Sequence, residues 1–393
     1  MPRKILTPAA VVLLGGFVIL FIGGGARFAV GLTLRPISDE FGWGRGVLGT
    51  AVAVFQVVSA VAMFFAGRLA DRASPRNVLG AGLAFGGLGI GAMCLMNAPW
   101  QAIALYGIVY GLGNGAASLI PVGVMVTRAF PVRTGMVNAV VTSGMSVGQL
   151  VMIAGLAAAL TAVTWRTAFL WLGLAHLALA PLIVALVPPM APAAAASHAS
   201  DWGVRDAMRS RRFWLLLAIY AICGFDDFFV STHVVAFAQD RGASAVWAGD
   251  LLALMGLAGL LGVVAGGWLA DRRGPAFPTA LSFAARVAVF GLVMIDQSPL
   301  SVAIFALVFG ATFLVTAPLA VVFVTQAFGA RNVGALSGFI TMVHQICGGL
   351  GALLGAAVFD ATGGYDRAFA VMCVVSAVAL ALSITLMISR RST

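Results

Sequence analysis

The chain has 393 residues, of which 61% are hydrophobic and only 9% charged, with a formal net charge of +10 and 48 glycines scattered through apolar runs. A composition this apolar excludes an ordinary soluble domain and places the chain among polytopic membrane proteins. The basic balance implies no nucleic-acid partner, because in such a chain the position of Lys and Arg matters more than their sum.

Apolar runs of roughly 20 residues or more are long enough to cross about 30 Å of hydrocarbon as helices. Twelve are predicted, at 8–33, 46–67, 77–96, 100–127, 134–160, 166–187, 213–238, 246–268, 277–295, 299–326, 332–358 and 367–389. The first follows Met1–Lys4 and is charged like a signal sequence. It is too long for one and lacks a small-residue cleavage site, so it is read as a retained span.

Along the chain, ARFAV (26–30) sets Arg27 in the first span, and GRLADRASPR (67–76) follows the second. In the fourth span YGIVYGLGN places Tyr106, Tyr110 and Asn114 at i, i+4 and i+8, one polar-aromatic stripe suited to orienting a small polar ligand. The fifth carries Asn138 and Gln149. After the sixth, PPMAPAAAASHASDWGVRDAMRSRR (188–212) is the longest extramembrane segment and reads as a linker.

The seventh span contains CGFDDFFVSTHVVAFAQD (223–240), with Asp226 and Asp227 in surroundings built for hydrocarbon. A lone carboxylate there costs several kcal/mol, so such residues are paired, protonated or facing a wet cavity. Successive helical residues point about 100° apart, so the two cannot face one way. Asp227 is the preferred cavity group. The alternatives are helix capping after Gly224, or pairing with Arg286 of the ninth span. The eleventh span brings Gln345 and His344, the latter of a residue type that ordinarily titrates near neutral pH and so could exchange protons.

The loop GRLADR (67–72) recurs as GWLADR (267–272), and VTRAF (126–130) as VTQAF (324–328). The chain is therefore two repeats: an N-terminal six-helix half at 1–187, a cytoplasmic linker at 188–212, and a C-terminal six-helix half at 213–393. Arginines such as Arg68, Arg72, Arg128, Arg211, Arg272 and Arg331 gather on one side. The other side holds Arg35, Arg45, Arg166, Arg241 and Arg367. The positive-inside rule then puts both termini in the cytoplasm.

The twin loops, of the form G-x-L-a-D-r-x-G-r-r, resemble those of the major facilitator superfamily over essentially the whole chain. That resemblance implies an all-α polytopic fold of twelve transmembrane helices in two pseudo-symmetric halves, with the substrate site near the bilayer midplane. PISDEFGWGRG (36–46) and FDATGGYDRAF (359–369) resemble segments of its bacterial monocarboxylate and oxalate:formate group. The Arg and Asp usual in the eighth span of that group are replaced by Val263 and Gly259. The GxxxGPxxGG element of drug:proton antiporters is missing from the fifth span.

An offset of 200 residues lays Arg27 on Asp227, which suggests a cation and an acid at comparable depth in related helices. The expected function is secondary active transport of a small organic anion or zwitterion by alternating access, with proton symport or solute exchange. Arg27, Tyr106, Tyr110, Asn114, Asp227 and Gln345 are the expected substrate contacts. Asp226, Asp227 and His344 are the expected proton-coupling groups. Gly67, Asp71, Arg72, Gly267, Asp271 and Arg272 are the expected conformational latch.

Two rivals stand beside this: a proton-coupled exporter of a cationic or amphipathic compound, and a membrane receptor that binds without turnover. Cys94, Cys223, Cys347 and Cys373 read as packing residues with neither disulfide nor metal spacing. No phosphate-binding loop or nucleophilic triad is present. The expectation is a monomeric, cofactor-free and metal-free non-enzyme in the bacterial inner membrane, whose partners are a small solute, the bilayer, and protons or a counter-substrate.

Overall fold

In the computed structural model, residues 7–27, 29–43, 45–160, 162–191, 202–242 and 245–389 are described. The elements among them are helices: α1 (Pro8–Ala26), α2 (Ala29–Phe41), α3 (Arg45–Arg72), α4 (Pro75–Ala92), a π-helical stretch (Ala102–Tyr110), α5 (Gly111–Ala116), α6 (Leu119–Ala129), α7 (Thr134–Ala159) and α8 (Trp165–Leu186). Further along come α9 (Val204–Arg209), inside the expected linker, and then α10 (Arg211–Asp240), α11 (Ala245–Arg273), α12 (Ala276–Ile295), α13 (Pro299–Phe313), α14 (Leu319–Phe328), α15 (Val333–Thr362) and α16 (Asp366–Ser389).

Among the described residues, eleven helical spans are long and apolar enough to cross a membrane, and the shorter apolar pair α13 and α14 fills the place of the twelfth. Exposed Leu14, Phe65, Leu88, Leu261, Leu353 and Val374 turn outward. Such a surface suits lipid, where helices satisfy their own backbone.

Local sequence explains the helix starts. Thr7, Thr164, Ser210 and Ser298 each accept a backbone N–H of the first turn, and Pro8, Pro75 and Pro299 occupy a first helical position. Gly274, after α11, has φ +81° and reverses the chain where a side chain would be strained.

Three predicted spans are interrupted. The first breaks at Arg27, which caps α1 and follows the run Gly23–Gly24–Gly25. The fourth breaks at Ala117–Ser118, and the tenth between Phe313 and Leu319, just before which stands Pro318. A proline withholds an N–H and clashes with the turn before it, so each of the last two breaks has a nearby cause in Pro121 or Pro318.

The chain forms two compact units. One comprises residues 1–132, 141–203 and 328–339, and packs Phe55, Tyr106, Tyr110, Trp165 and Phe169 in its core. The other comprises 133–140, 204–327 and 340–393, around Phe229, Phe237, Phe290, Phe305, Phe309 and Phe369. Helices α7 and α15 each start in one unit and continue in the other.

Candidate functional site: two polar clusters and two helix caps

In the first unit Arg27 sits at the carboxyl end of α1, where a cation complements the helix dipole. Its side chain is part-buried, and its backbone carbonyl accepts the hydroxyl of Tyr106 at 2.5 Å. Tyr106 and Tyr110 are fully buried, and Phe55 stacks on Tyr110 with ring centroids 5.3 Å apart. Asn114, one turn on, accepts the Ser59 hydroxyl at 3.2 Å. The stripe read from the sequence is therefore one face packed on α3, with Arg27 at its edge. The glycines before Arg27 serve packing: a Cβ on Gly24 would lie 2.7 Å from the Met145 carbonyl oxygen of α7.

The second unit holds a buried hub. Arg286 of α12, wholly inaccessible, lies 2.7 Å from Oδ1 of Asp227 and 3.7 Å from Oδ2 of Asp226. Its Nε donates to the Thr312 hydroxyl at 3.1 Å, at the carboxyl end of α13, and its plane rides 4.7 Å above the Phe309 ring. Ser376 of α16 donates to Asp226 at 2.7 Å. The Cys223 thiol points at Oδ2 of Asp227 at 3.4 Å, and Thr316 in the α13–α14 break lies 3.1 Å from the sulfur. The break is tied further by Tyr220, whose hydroxyl donates to the Thr316 carbonyl at 2.7 Å.

His344 of α15 closes the hub. Its Nδ1 faces the Tyr220 carbonyl at 3.1 Å, which can only accept, so Nδ1 carries the hydrogen. Its Nε2 lies 4.0 Å from Oδ2 of Asp227. His344 is 18% exposed while Asp227 is 5% exposed, so the imidazole is the hub's outermost member. Gln345 is part-buried beside it.

Of the sequence alternatives for the aspartates, the ion pair with Arg286 is the one seen, and both acids share it. The pairing with Arg286 is one of the alternatives read from the sequence, where an arginine in an apolar run is itself a signal; its complete burial and its sharing between the two acids come only from the fold.

The two loop motifs make matching caps. Asp71 accepts the backbone N–H groups of Gly334 and Ala335, the first turn of α15, at 2.9 and 2.8 Å. Asp271 accepts those of Gly135 and Met136, the first turn of α7, both at 2.8 Å. A carboxylate there satisfies orphan donors and meets the positive end of the helix dipole. Gly67 and Gly267 are required by the same contacts: a Cβ on Gly67 would fall on the Gly334 carbonyl oxygen, and one on Gly267 would overlap Ala139.

The arginine beside Asp71 is Arg128, at 3.9 Å, and it also donates to the Ala70 carbonyl at 2.9 Å. Arg72 is exposed, and Arg272 lies over the Trp268 ring at 4.0 Å. Arg128 was missed as a cap partner although VTRAF had been noted; its counterpart in VTQAF is Gln326.

At the opposite end of α2, the EFGW segment forms a brace. Trp165 donates its indole N–H to Glu40 at 2.7 Å, Arg166 pairs with the same carboxylate, and Phe41 stacks on Trp43. The hydrogen bonds from Trp165 and then Arg166 hold the Glu40 carboxyl below its ordinary range.

Over residues 16–352 the sequence matches the Major Facilitator Superfamily. The chain belongs to that superfamily. Among its relatives, an uncharacterised MFS-type transporter of Bacillus subtilis, YcxA, is 26% identical over 388 residues, covering 91% of both chains. A probable L-galactonate transporter of Escherichia coli is 30% identical over 184 residues, 45% of this chain and 38% of that one. The crystal structure of the E. coli fucose:proton symporter FucP superimposes with a TM-score of 0.78 at 16% identity, covering 96% of this chain and 99% of the other. The superfamily fold is therefore shared, and the chain is a multi-pass transporter of that type.

Proposed function

We propose that the protein carries a small organic anion or zwitterion, such as a carboxylate, across the bacterial inner membrane by alternating access, driven by proton symport or by exchange of solutes. The observation that carries the anion reading is Arg27: a part-buried guanidinium at the carboxyl end of α1, close to Tyr106 and Tyr110, with its own backbone carbonyl held by the Tyr106 hydroxyl. A planar guanidinium receives a carboxylate through two parallel hydrogen bonds. The relative named as a probable L-galactonate transporter lends support, since that solute is a carboxylate.

Coupling is ascribed to the hub. Two carboxylates face one guanidinium, so the group carries one surplus negative charge that a co-transported proton would balance. This favours symport over exchange, in line with the proton symport named for FucP. The caps at Asp71 and Asp271 are proposed as latches, because both grip the first turn of a helix shared by the two units.

The reading is tested by melting the purified protein with panels of small anionic, zwitterionic and cationic solutes, since a ligand that binds the native state raises its apparent stability. Stabilisation by an anion or zwitterion that disappears in Arg27→Ala supports it. Stabilisation by cations alone would establish the exporter reading instead.

A further inference from the structure

Beyond the coupling proposed for its carboxylates, the hub sets a thiol, a carboxylate and an imidazole side by side. The Cys223 sulfur, an oxygen of Asp227 and a ring nitrogen of His344 all lie within 4.8 Å of one another, and no other such trio occurs among the described residues. We propose that these three side chains form a binding site for one thiophilic divalent cation of the zinc class.

Three features of the geometry support it. Tetrahedral bonds of about 2.0–2.3 Å place neighbouring ligand atoms roughly 3.3–3.6 Å apart. Sulfur and Oδ2 are already 3.4 Å apart, Oδ2 and Nε2 are 4.0 Å apart, and all three ligand atoms lie within 4.8 Å of one another, so the imidazole closes on the metal by moving inward. Next, the imidazole is oriented as a ligand: Nδ1 faces the Tyr220 carbonyl and Nε2 is turned toward Asp227, the arrangement by which metal-binding histidines are fixed. Finally, Arg286 holds Oδ1 of Asp227 and leaves Oδ2 to the cation, while its other terminal nitrogen lies 3.6 Å from the sulfur.

Binding of the cation releases the thiol proton to solvent, so that the metal meets a thiolate, a carboxylate and an imidazole. Three protein ligands leave a fourth position for water. His344, the part-exposed member, is the point of entry. An occupied site would pin α10 to α15.

The test is spectroscopic and independent of any transported solute. Purified full-length protein is titrated with Co2+, which gives a thiolate-to-cobalt charge-transfer band when sulfur binds. The band is expected in the wild type, to be displaced by Zn2+, and to persist when Cys94, Cys347 and Cys373 are all changed to Ser. It is expected to vanish in Cys223→Ser and to require at least about tenfold more cobalt in His344→Gln. Each variant is first checked for an unchanged cooperative melt without metal. Asp227 is left intact because Arg286 depends on it. Absence of the band in folded wild type, its survival in Cys223→Ser, or its loss in the triple variant would overturn the proposal.

Discussion

Removing one partner of a buried ion pair leaves the other charged and unpaired, which costs about 3–5 kcal/mol, more than the pair itself contributes. Asp227→Asn and Arg286→Gln are each expected to lower the melting temperature sharply. The double variant should lose less than the sum, as coupled neighbours do. Melts of the two singles and the double measure this, and additivity would contradict the geometry of the hub. At Arg27 the expectation concerns flux: Arg27→Ala abolishes it while membrane insertion persists, and Arg27→Lys restores it only in part, since an ammonium cannot make the planar two-point contact. The arginine and the two aspartates were legible in the sequence as costly residues in apolar runs. Arg286 was legible as one alternative partner and His344 as a companion group, whereas Thr312 and Ser376 were not, because they are ordinary polar residues on helices that only folding brings to the hub.

Helices here approach backbone to backbone, and the glycines that permit it can be told apart. A Cβ on Gly67 meets the backbone of Gly334, whereas one on Gly291 meets nothing within 4 Å. Gly67→Val should therefore lower the melting temperature strongly, while Gly291→Ala should be neutral or stabilise by about 0.5–1 kcal/mol through helix propensity. Asp71→Asn and Asp271→Asn weaken a cap and are expected to slow flux more than they reduce ligand affinity, with binding and transport measured separately. Equal losses would argue against a latch. The Glu40 brace has a pH signature. Its carboxyl is held low, so its contribution is fully present above the ordinary carboxylate value of about 4.3 and is lost as pH falls through the lower folded value. The melting difference between wild type and Glu40→Gln should be present at neutral pH and shrink in acid. Helix existence was legible from apolar runs, since length and hydropathy suffice for that. The breaks at Arg27, Ala117–Ser118 and Phe313–Leu319 were not, because an apolar run gives the same hydropathy whether its backbone is continuous or interrupted.

For the whole molecule, the repeat of Gly-to-Asp loops announced the fold and its superfamily, and the match over residues 16–352 agrees with it. The solute was less legible, because one scaffold serves many solutes and the deciding contacts are a few side chains set by local breaks. The central claim, anion transport balanced by a proton, is tested most directly by uptake into proteoliposomes of the anion found to stabilise the protein, with and without an inwardly directed proton gradient. The account predicts that acidifying the outside accelerates accumulation in wild type, that protons enter with the solute, and that Arg27→Ala shows neither. Uptake of the anion that ignores the gradient and persists in Arg27→Ala would contradict it.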